Sequence, residues 1–118
     1  MEDMMSTPAE RINELNKRKD TIKNMGGPER IQKQHESGKL TARERLDLLF
    51  DKGSFRELGM FVQHHCTNFD MPQTYIASDG VVTGQGTVNG RLVFAFAQDF
   101  TSAGGTVGEM HAKKICKV

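Results

Sequence analysis

Val81-Val82-Thr83-Gly84-Gln85-Gly86-Thr87-Val88, then Asn89-Gly90, then Arg91-Leu92-Val93-Phe94-Ala95-Phe96-Ala97-Gln98 is the stretch that decides the fold. Two runs rich in β-branched and aromatic residues flank an Asn-Gly pair. A type I′ turn needs positive φ at both central positions, and Asn-Gly meets that need at the least steric cost. The pair therefore predicts a hairpin with strands at 80–88 and 91–98. Leu92 to Ala97 is continuously apolar, which predicts a strand buried on both faces.

Upstream of the hairpin the period changes from two to about 3.6 residues. Thr7-Pro8 is a helix start, because threonine can cap and proline is tolerated in the first turn. Ile12, Leu15, Ile22 and Met25 then fall near one face. Gly26-Gly27-Pro28 stops that helix: glycine supplies a left-handed cap and proline cannot continue the ladder. A polar helix follows over 28–37, ended by Gly38. Thr41-Ala42-Arg43-Glu44 is a capping box that opens a third helix with Ala42, Leu46, Leu49 and Phe50 as its apolar stripe. Residues 54–63 read as extended, anchored by Phe55, Phe61 and Val62. Residues 64–78 read as a loop, broken by Pro72. Downstream of the hairpin comes a small-residue turn over 99–105. Thr106-Val107-Gly108-Glu109 then repeats the capping-box pattern and predicts a terminal helix from about Thr106. The fold class expected is α+β, with a helical segment over 1–53 and a β-rich segment over 54–118.

The chain has 118 residues, which bounds it to one small domain. Apolar residues make up 36% and mean hydropathy is −0.53, lean enough to suggest apolar surface that expects a partner or more chain. Sixteen basic against fifteen acidic residues give a net charge of +1. No long-range field follows, so neither nucleic acid nor an anionic membrane is the default partner. No run approaches the roughly 18 apolar residues of a membrane span. The acidic N-terminus lacks a basic-then-apolar signal, and Cys66 and Cys116 read as reduced thiols. The expected location is cytoplasmic.

Asp99-Phe100-Thr101-Ser102-Ala103-Gly104-Gly105-Thr106 carries the most chemistry. It runs from a strand into a helix, its small residues let a ligand approach the backbone, and a helix N-terminus presents free N–H groups to an anion. A tight strand-to-helix turn is the competing reading, since a lone Gly-Gly is weak. His64-His65-Cys66, with His35, invites a metal. Adjacent strand residues point to opposite faces, and no C-x₂-C pair is present, so no metal site is expected. Cys66 beside His65 makes no usable nucleophile–base pair. Lys39, Arg43 and Arg45 are interleaved with acids and read as a solvated helical face, with Arg43 a candidate exception.

Gly38-Lys39-Leu40-Thr41-Ala42-Arg43-Glu44-Arg45-Leu46 and Leu49-Phe50-Asp51-Lys52-Gly53-Ser54-Phe55 resemble the opening segment of biotin-dependent acyl-CoA carboxyltransferase subunits. Asp79-Gly80-Val81-Val82-Thr83-Gly84, Asn89-Gly90-Arg91-Leu92-Val93, Gln98-Asp99-Phe100-Thr101, Gly104-Gly105 and His111-Ala112-Lys113-Lys114-Ile115-Cys116-Lys117 follow in the family's order. Met60-Phe61-Val62 and Cys66-Thr67-Asn68-Phe69 are similar to the propionyl-CoA carboxylase β and methylmalonyl-CoA decarboxylase α types. The resemblance implies the start of a crotonase-like (ClpP/crotonase) carboxyltransferase N-domain over 54–118, cut off before most of the active site. It implies acyl-CoA as substrate and biotin brought by a partner. The partners it implies are a biotin carboxyl carrier, biotin carboxylase or decarboxylase subunits, and further copies of the same subunit. The family's Asp-Ser-Gly-Gly-Ala-Arg segment, which carries oxyanion donors, is absent from these 118 residues. No catalytic residue is therefore expected, and activity from the chain alone is not. Gly104, Gly105 and Thr106 are expected near acyl-CoA, with Arg43 and Lys39 near its nucleotide end. The alternatives are a non-catalytic acyl-CoA-binding or assembly module that docks on a complete subunit, and an unrelated small α+β binding domain.

Overall fold

A computed structural model describes residues 6–65, 75–102, 104 and 107–118. In chain order it contains α1 (Pro8–Lys23), α2 (Pro28–Glu36), α3 (Ala42–Leu49), β1 (Arg56–Leu58), a 3₁₀ turn (Ala77–Gly80), β2 (Val81–Val88), β3 (Arg91–Gln98) and α4 (Glu109–Lys117). The strands form one antiparallel sheet in the order β1-β2-β3.

Both early helix starts are chemically explicit. The Thr7 hydroxyl accepts from the Glu10 N–H at 3.2 Å, and the Thr7 N–H donates to the Glu10 carboxylate at 2.7 Å. Thr41 and Glu44 exchange the same pair of bonds at 3.3 and 3.0 Å, which satisfies two orphan donors of α3. The apolar stripes are buried unevenly. Ala42, Leu46 and Phe50 enter the core with Val82, whereas Leu49 stays exposed. On α1 only Ile22 is buried, and Ile12 and Leu15 face outward.

The α1 stop works differently from the expectation. Met25 (φ 53°) and Gly27 (φ 102°) carry the left-handed backbone. Gly26 is needed for proximity: a Cβ there would sit 1.7 Å from the Thr101 carbonyl oxygen. Its N–H donates to the Thr101 hydroxyl at 3.1 Å, so the turn after α1 lies directly on the turn after β3.

The hairpin forms as read, with Val88 opposite Arg91 and both Asn89 (φ 51°) and Gly90 (φ 80°) left-handed. The Asp51 carboxylate clips its tip, accepting from the Thr87 hydroxyl at 2.7 Å and from the Asn89 and Gly90 N–H groups at 3.0 Å each. Two glycines of β2 admit the aromatic core. A Cβ on Gly84 would meet the Phe55 ring at 2.6 Å, and one on Gly86 the Phe50 ring at 2.7 Å. Those two rings stack with centroids 5.2 Å apart.

Three expectations need correction. Residues 54–63 contain only the short β1, because Gly59 (φ 69°) turns the chain and Val62 N–H bonds back to its carbonyl. The apolar run in β3 is not buried on both faces. Val93, Ala95 and Ala97 pack on the core, while Leu92 (64%), Phe94 (50%) and Phe96 (48%) remain exposed. The reason is that α3 packs on one face of β3, while the side chains on the other face stay half-exposed or more; among the described residues β3 is also an edge of the sheet. The terminal helix begins at Glu109, not near Thr106, because Gly108 is extended and supplies no side-chain cap. Thr106, and with it the expected capping box, lies outside the described residues, as do Cys66 and Pro72 of the expected loop; Glu109 pairs with Lys113 at 3.0 Å.

Two predictions follow from the hairpin. The Gly90 N–H, then Thr87 and Asn89, hold the Asp51 carboxyl below its ordinary value. A carboxylate depressed on folding stabilises above its unfolded pKa and loses that contribution as pH falls through its folded pKa. Asp51→Ala should therefore lower the thermal midpoint at neutral pH, and its gap from wild type should shrink below about pH 4 in calorimetry. The apolar edge of β3 is a template for association between chains. Sedimentation should show concentration-dependent self-association that Phe94→Lys weakens; a compact monomer unchanged over a wide concentration range would contradict this.

Candidate functional site

At the end of the hairpin opposite its tip, two buried aspartates organise the backbone. Asp99 closes the turn that follows β3. One carboxylate oxygen accepts from the Thr101 N–H at 2.9 Å and the Thr101 hydroxyl at 2.6 Å; the other accepts from the Ser102 hydroxyl at 2.8 Å. The Asp99 N–H donates to the Gly80 carbonyl at 2.8 Å, and Arg30 reaches the Thr101 carbonyl at 3.2 Å. The turn that sequence singled out is thus fixed by its own side chains and by the α1–α2 junction.

Asp79 does the corresponding work for α4. Ser78, Asp79 and Gly80 form a left-handed run with φ of 51°, 51° and 75°. The run turns the Asp79 carboxylate onto the His111 N–H at 2.7 Å. That amide is the third of the helix, so Asp79 caps α4 from 32 residues away where Gly108 cannot. His111 is fully buried, and its Nδ1 lies 2.9 Å from the Asp79 carbonyl. A carbonyl only accepts, so Nδ1 carries the hydrogen and Nε2 is left to accept from the Gln98 amide at 3.3 Å. One turn further on, the Lys114 ammonium donates to the Ser78 and Val81 carbonyls at 2.7 and 2.6 Å. Burial lowers its pKa to about 8, against the opposing pull of Glu57 and Asp79.

A cleft of about 690 Å³ borders this joint, lined by Asn24, Gly26, Arg30, Tyr75 and Ser102 among others. Around the concavity stand the start of the Asp99 turn, fixed through Ser102, with the Thr21 and Ser102 hydroxyls, the Asn24 amide and the Arg30 guanidinium. Such a set can hold a polar or anionic ligand.

The sequence-predicted residues fall in three places. Gly104 follows the Asp99 turn, is exposed and has φ of 63°. Gly105 and Thr106 lie outside the described residues. Arg43 makes a two-pronged pair with Glu57 at 2.7 and 3.1 Å. It lines a second cleft with Lys19 and Lys23 of α1. Lys39 is exposed in the α2–α3 turn and is not on that wall. His35 pairs with Glu44 at 2.7 Å, and among the described residues no group of three or more His, Cys, Asp or Glu side chains can hold a metal. Sequence reading missed Asp79, His111 and Lys114. The i, i+3 spacing of His111 and Lys114 puts them on one face of α4, but a polar helix face reads as solvated.

Known proteins share the sequence and fold of this chain. The profile of the family described as the carboxyl transferase domain matches residues 33–118. The chain is 59% identical over 113 residues to the methylmalonyl-CoA decarboxylase subunit alpha of Propionigenium modestum, covering 96% of this chain and 22% of that protein. It is 56% identical over 107 residues to the propionyl-CoA carboxylase beta chain of Roseobacter denitrificans, covering 91% and 21%. The chain thus spans about a fifth of the length of these relatives. A crystal structure of transcarboxylase 12S, a hexamer with methylmalonyl-CoA bound, superposes with a TM-score of 0.94 at 45% identity over 97% of this chain and 22% of that one. A single-chain long-chain acyl-CoA carboxylase superposes with a TM-score of 0.81 at 27% identity, over 95% of this chain and 12% of that one.

Lys114 gives a test of the joint. Lys114→Met removes the bonds to the Ser78 carbonyl, which keeps the Val81 N–H, and to the Val81 carbonyl, and should cost about 1–3 kcal/mol in denaturant unfolding. The folded pKa lies below the unfolded value, so between about 8 and 10.5 the unfolded chain binds more protons. This group's contribution therefore rises with pH through that window. The stability gap between wild type and Lys114→Met should widen from pH 8 to 10.

Proposed function

This chain belongs to the carboxyl transferase domain family, and we propose that it is the N-terminal part of a subunit that moves a carboxyl group between carboxybiotin and the α-carbon of an acyl-CoA. The acyl-CoA is of the propionyl-CoA/methylmalonyl-CoA type, as in the names of its most similar relatives. Residues 1–53 form the opening segment and 54–118 begin the acyl-CoA half, with α3 already built into the core of that half. The observation that carries the reading is the Asp99 turn, fixed on both sides and leading into α4, at the positions where family motifs and ligand-compatible geometry coincide.

Carboxybiotin, when bound, would supply the carboxyl group to the acyl α-carbon, and backbone N–H groups would hold the developing enolate oxygen there. This chain's share is to bind and orient. Asp79 and Asp99 are taken up by backbone and hydroxyl donors and Arg43 by Glu57, so no step through biotin is assigned to these residues. Biotin arrives on a carrier, with biotin carboxylase or decarboxylase subunits as partners and further copies of the subunit completing the assembly. Gly104, Gly105 and Thr106 approach the acyl-CoA, and Arg43 and Lys39 lie toward its nucleotide end. The setting is the cytoplasm; among the described residues no helix is long and apolar enough to cross a membrane. A second reading, a non-catalytic acyl-CoA-binding or assembly module that docks on a complete subunit, draws support from the exposed face of Leu92, Phe94 and Phe96.

The purified 118-residue chain should bind propionyl-CoA with signal changes at Gly104 and Ser102, yet give no biotin-dependent carboxylation. Turnover by the chain alone, or no response of that turn to propionyl-CoA, would contradict the reading.

A further inference from the structure

The chain's asparagines are Asn13, Asn16, Asn24, Asn68 and Asn89, and only Asn89 precedes a glycine. That pair carries covalent chemistry as well as a turn. Gly90 has no side chain to crowd its nitrogen, so the nitrogen is free to attack the Asn89 carboxamide once the backbone lets the two meet. A bond forms from the Gly90 nitrogen to Asn89 Cγ, the Cγ–Nδ2 bond breaks, and the Gly90 proton leaves with Nδ2 as ammonia. The product is a five-membered cyclic imide. Water opens it at either carbonyl, giving aspartate or isoaspartate. Both residues of the pair are exposed, so water has access to the imide.

The closed hairpin opposes this reaction through one torsion. Ring closure needs the Gly90 nitrogen eclipsed with Asn89 Cβ about the Asn89 Cα–C bond. A type I′ turn holds ψ of its first central residue at about 30°, which sets those two atoms nearly opposite. Asn89 (φ 51°) and Gly90 (φ 80°) both carry the positive φ of that turn. Rotating ψ of Asn89 swings the Gly90 N–H with it, and this N–H is the group that donates to Asp51 Oδ2 at 3.0 Å. The other carboxylate oxygen accepts from the Asn89 N–H at 3.0 Å. Asp51 is itself anchored. Its N–H donates to the Thr87 carbonyl at 2.8 Å, and its carbonyl accepts from the Ser54 hydroxyl at 2.7 Å. One fixed carboxylate, through charge-assisted bonds, thus holds the torsion on which the reaction turns.

We propose that Asn89 is a deamidation site and that the Asp51 carboxylate is its guard, so that cyclisation proceeds only from hairpins whose tip has opened. The inference is independent of the acyl-CoA reading. The reaction also reinforces itself. A carboxylate at position 89 sits beside that of Asp51 and repels it. Isoaspartate adds a carbon to the main chain, which a two-residue turn does not accommodate.

The test keeps the 118-residue chain in warm neutral buffer and follows Asn89 by peptide mass spectrometry, through the mass gained when an amide becomes an acid. Hydrogen exchange of the Gly90 and β2–β3 amides is read on the same samples. The native chain should deamidate at least about tenfold more slowly than the chain unfolded in urea at the same pH, because only the opened fraction reacts. That slowing should match the protection of the Gly90 amide, since one opening controls both. Asp51→Ala should raise the native rate about tenfold while the strand amides stay protected. Asp51→Asn, which keeps a carbonyl acceptor without the charge, should fall between. Thr87→Val spares both amide bonds and should stay close to wild type. A native rate equal to that in urea would overturn the proposal, as would an unchanged rate in Asp51→Ala. A slowing that follows the strand amides instead of Gly90 would overturn it too. If Asp51→Ala loses strand protection, the match between deamidation and Gly90 exchange in wild type decides.

Discussion

The left-handed run Ser78-Asp79-Gly80 and the bonds it makes to α4 hold together the end of the hairpin opposite its tip. Two non-glycine residues with φ of 51° are costly, of order 1–3 kcal/mol each. The run persists because its side chains and carbonyls are taken up by neighbouring elements. The Ser78 hydroxyl donates to the Met60 carbonyl at 2.6 Å, the Ser78 carbonyl accepts from Lys114, and Asp79 meets His111 through both carboxylate and carbonyl. Gly80 completes the run, with His111 Nδ1 3.5 Å from where its Cβ would be. Without these bonds α4 is a nine-residue helix with no N-cap side chain of its own, too short to persist unaided.

Seen along the hairpin, three aspartates fix both ends of one structural unit. Asp51 holds the Asn89-Gly90 tip, Asp99 holds the turn after β3, and Asp79 holds the helix beyond that turn. Between them the strands need little polar help, and β2 can use glycine at 84 and 86 to admit Phe55 and Phe50. The result places the rigidity where the proposed ligand turn needs it. The outer face of β3 is left apolar, which fits a piece of architecture that in its relatives lies within a chain more than four times as long.

The parts legible in the sequence are those whose cause is local. Thr41 and Glu44 are three residues apart, and Asn89 and Gly90 adjoin, so short windows contain the whole physical reason for the α3 start and the hairpin. Burial of β3 was misread because a continuous apolar run does not reveal how many layers cover it. The α4 boundary was misplaced because Thr106-Val107-Gly108-Glu109 satisfies the capping pattern, while the actual cap is a carboxylate 32 residues upstream. For the same reason Asp79 stood in the sequence only as part of a family-like motif. The cleft residues Lys19 and Lys23 carried no signal, since a lysine on a polar helix looks alike whether it faces water or a pocket.

Asp79 caps α4 from 32 residues away and so holds the helix that follows the proposed ligand turn. Amide hydrogen exchange at His111, compared between wild type and Asp79→Ala, tests that cap. The His111 amide should be protected in wild type to the level of the β2–β3 amides, and exposed in Asp79→Ala while those strand amides stay protected. Rapid exchange at His111 in the wild-type chain, or protection that survives the substitution, would contradict it.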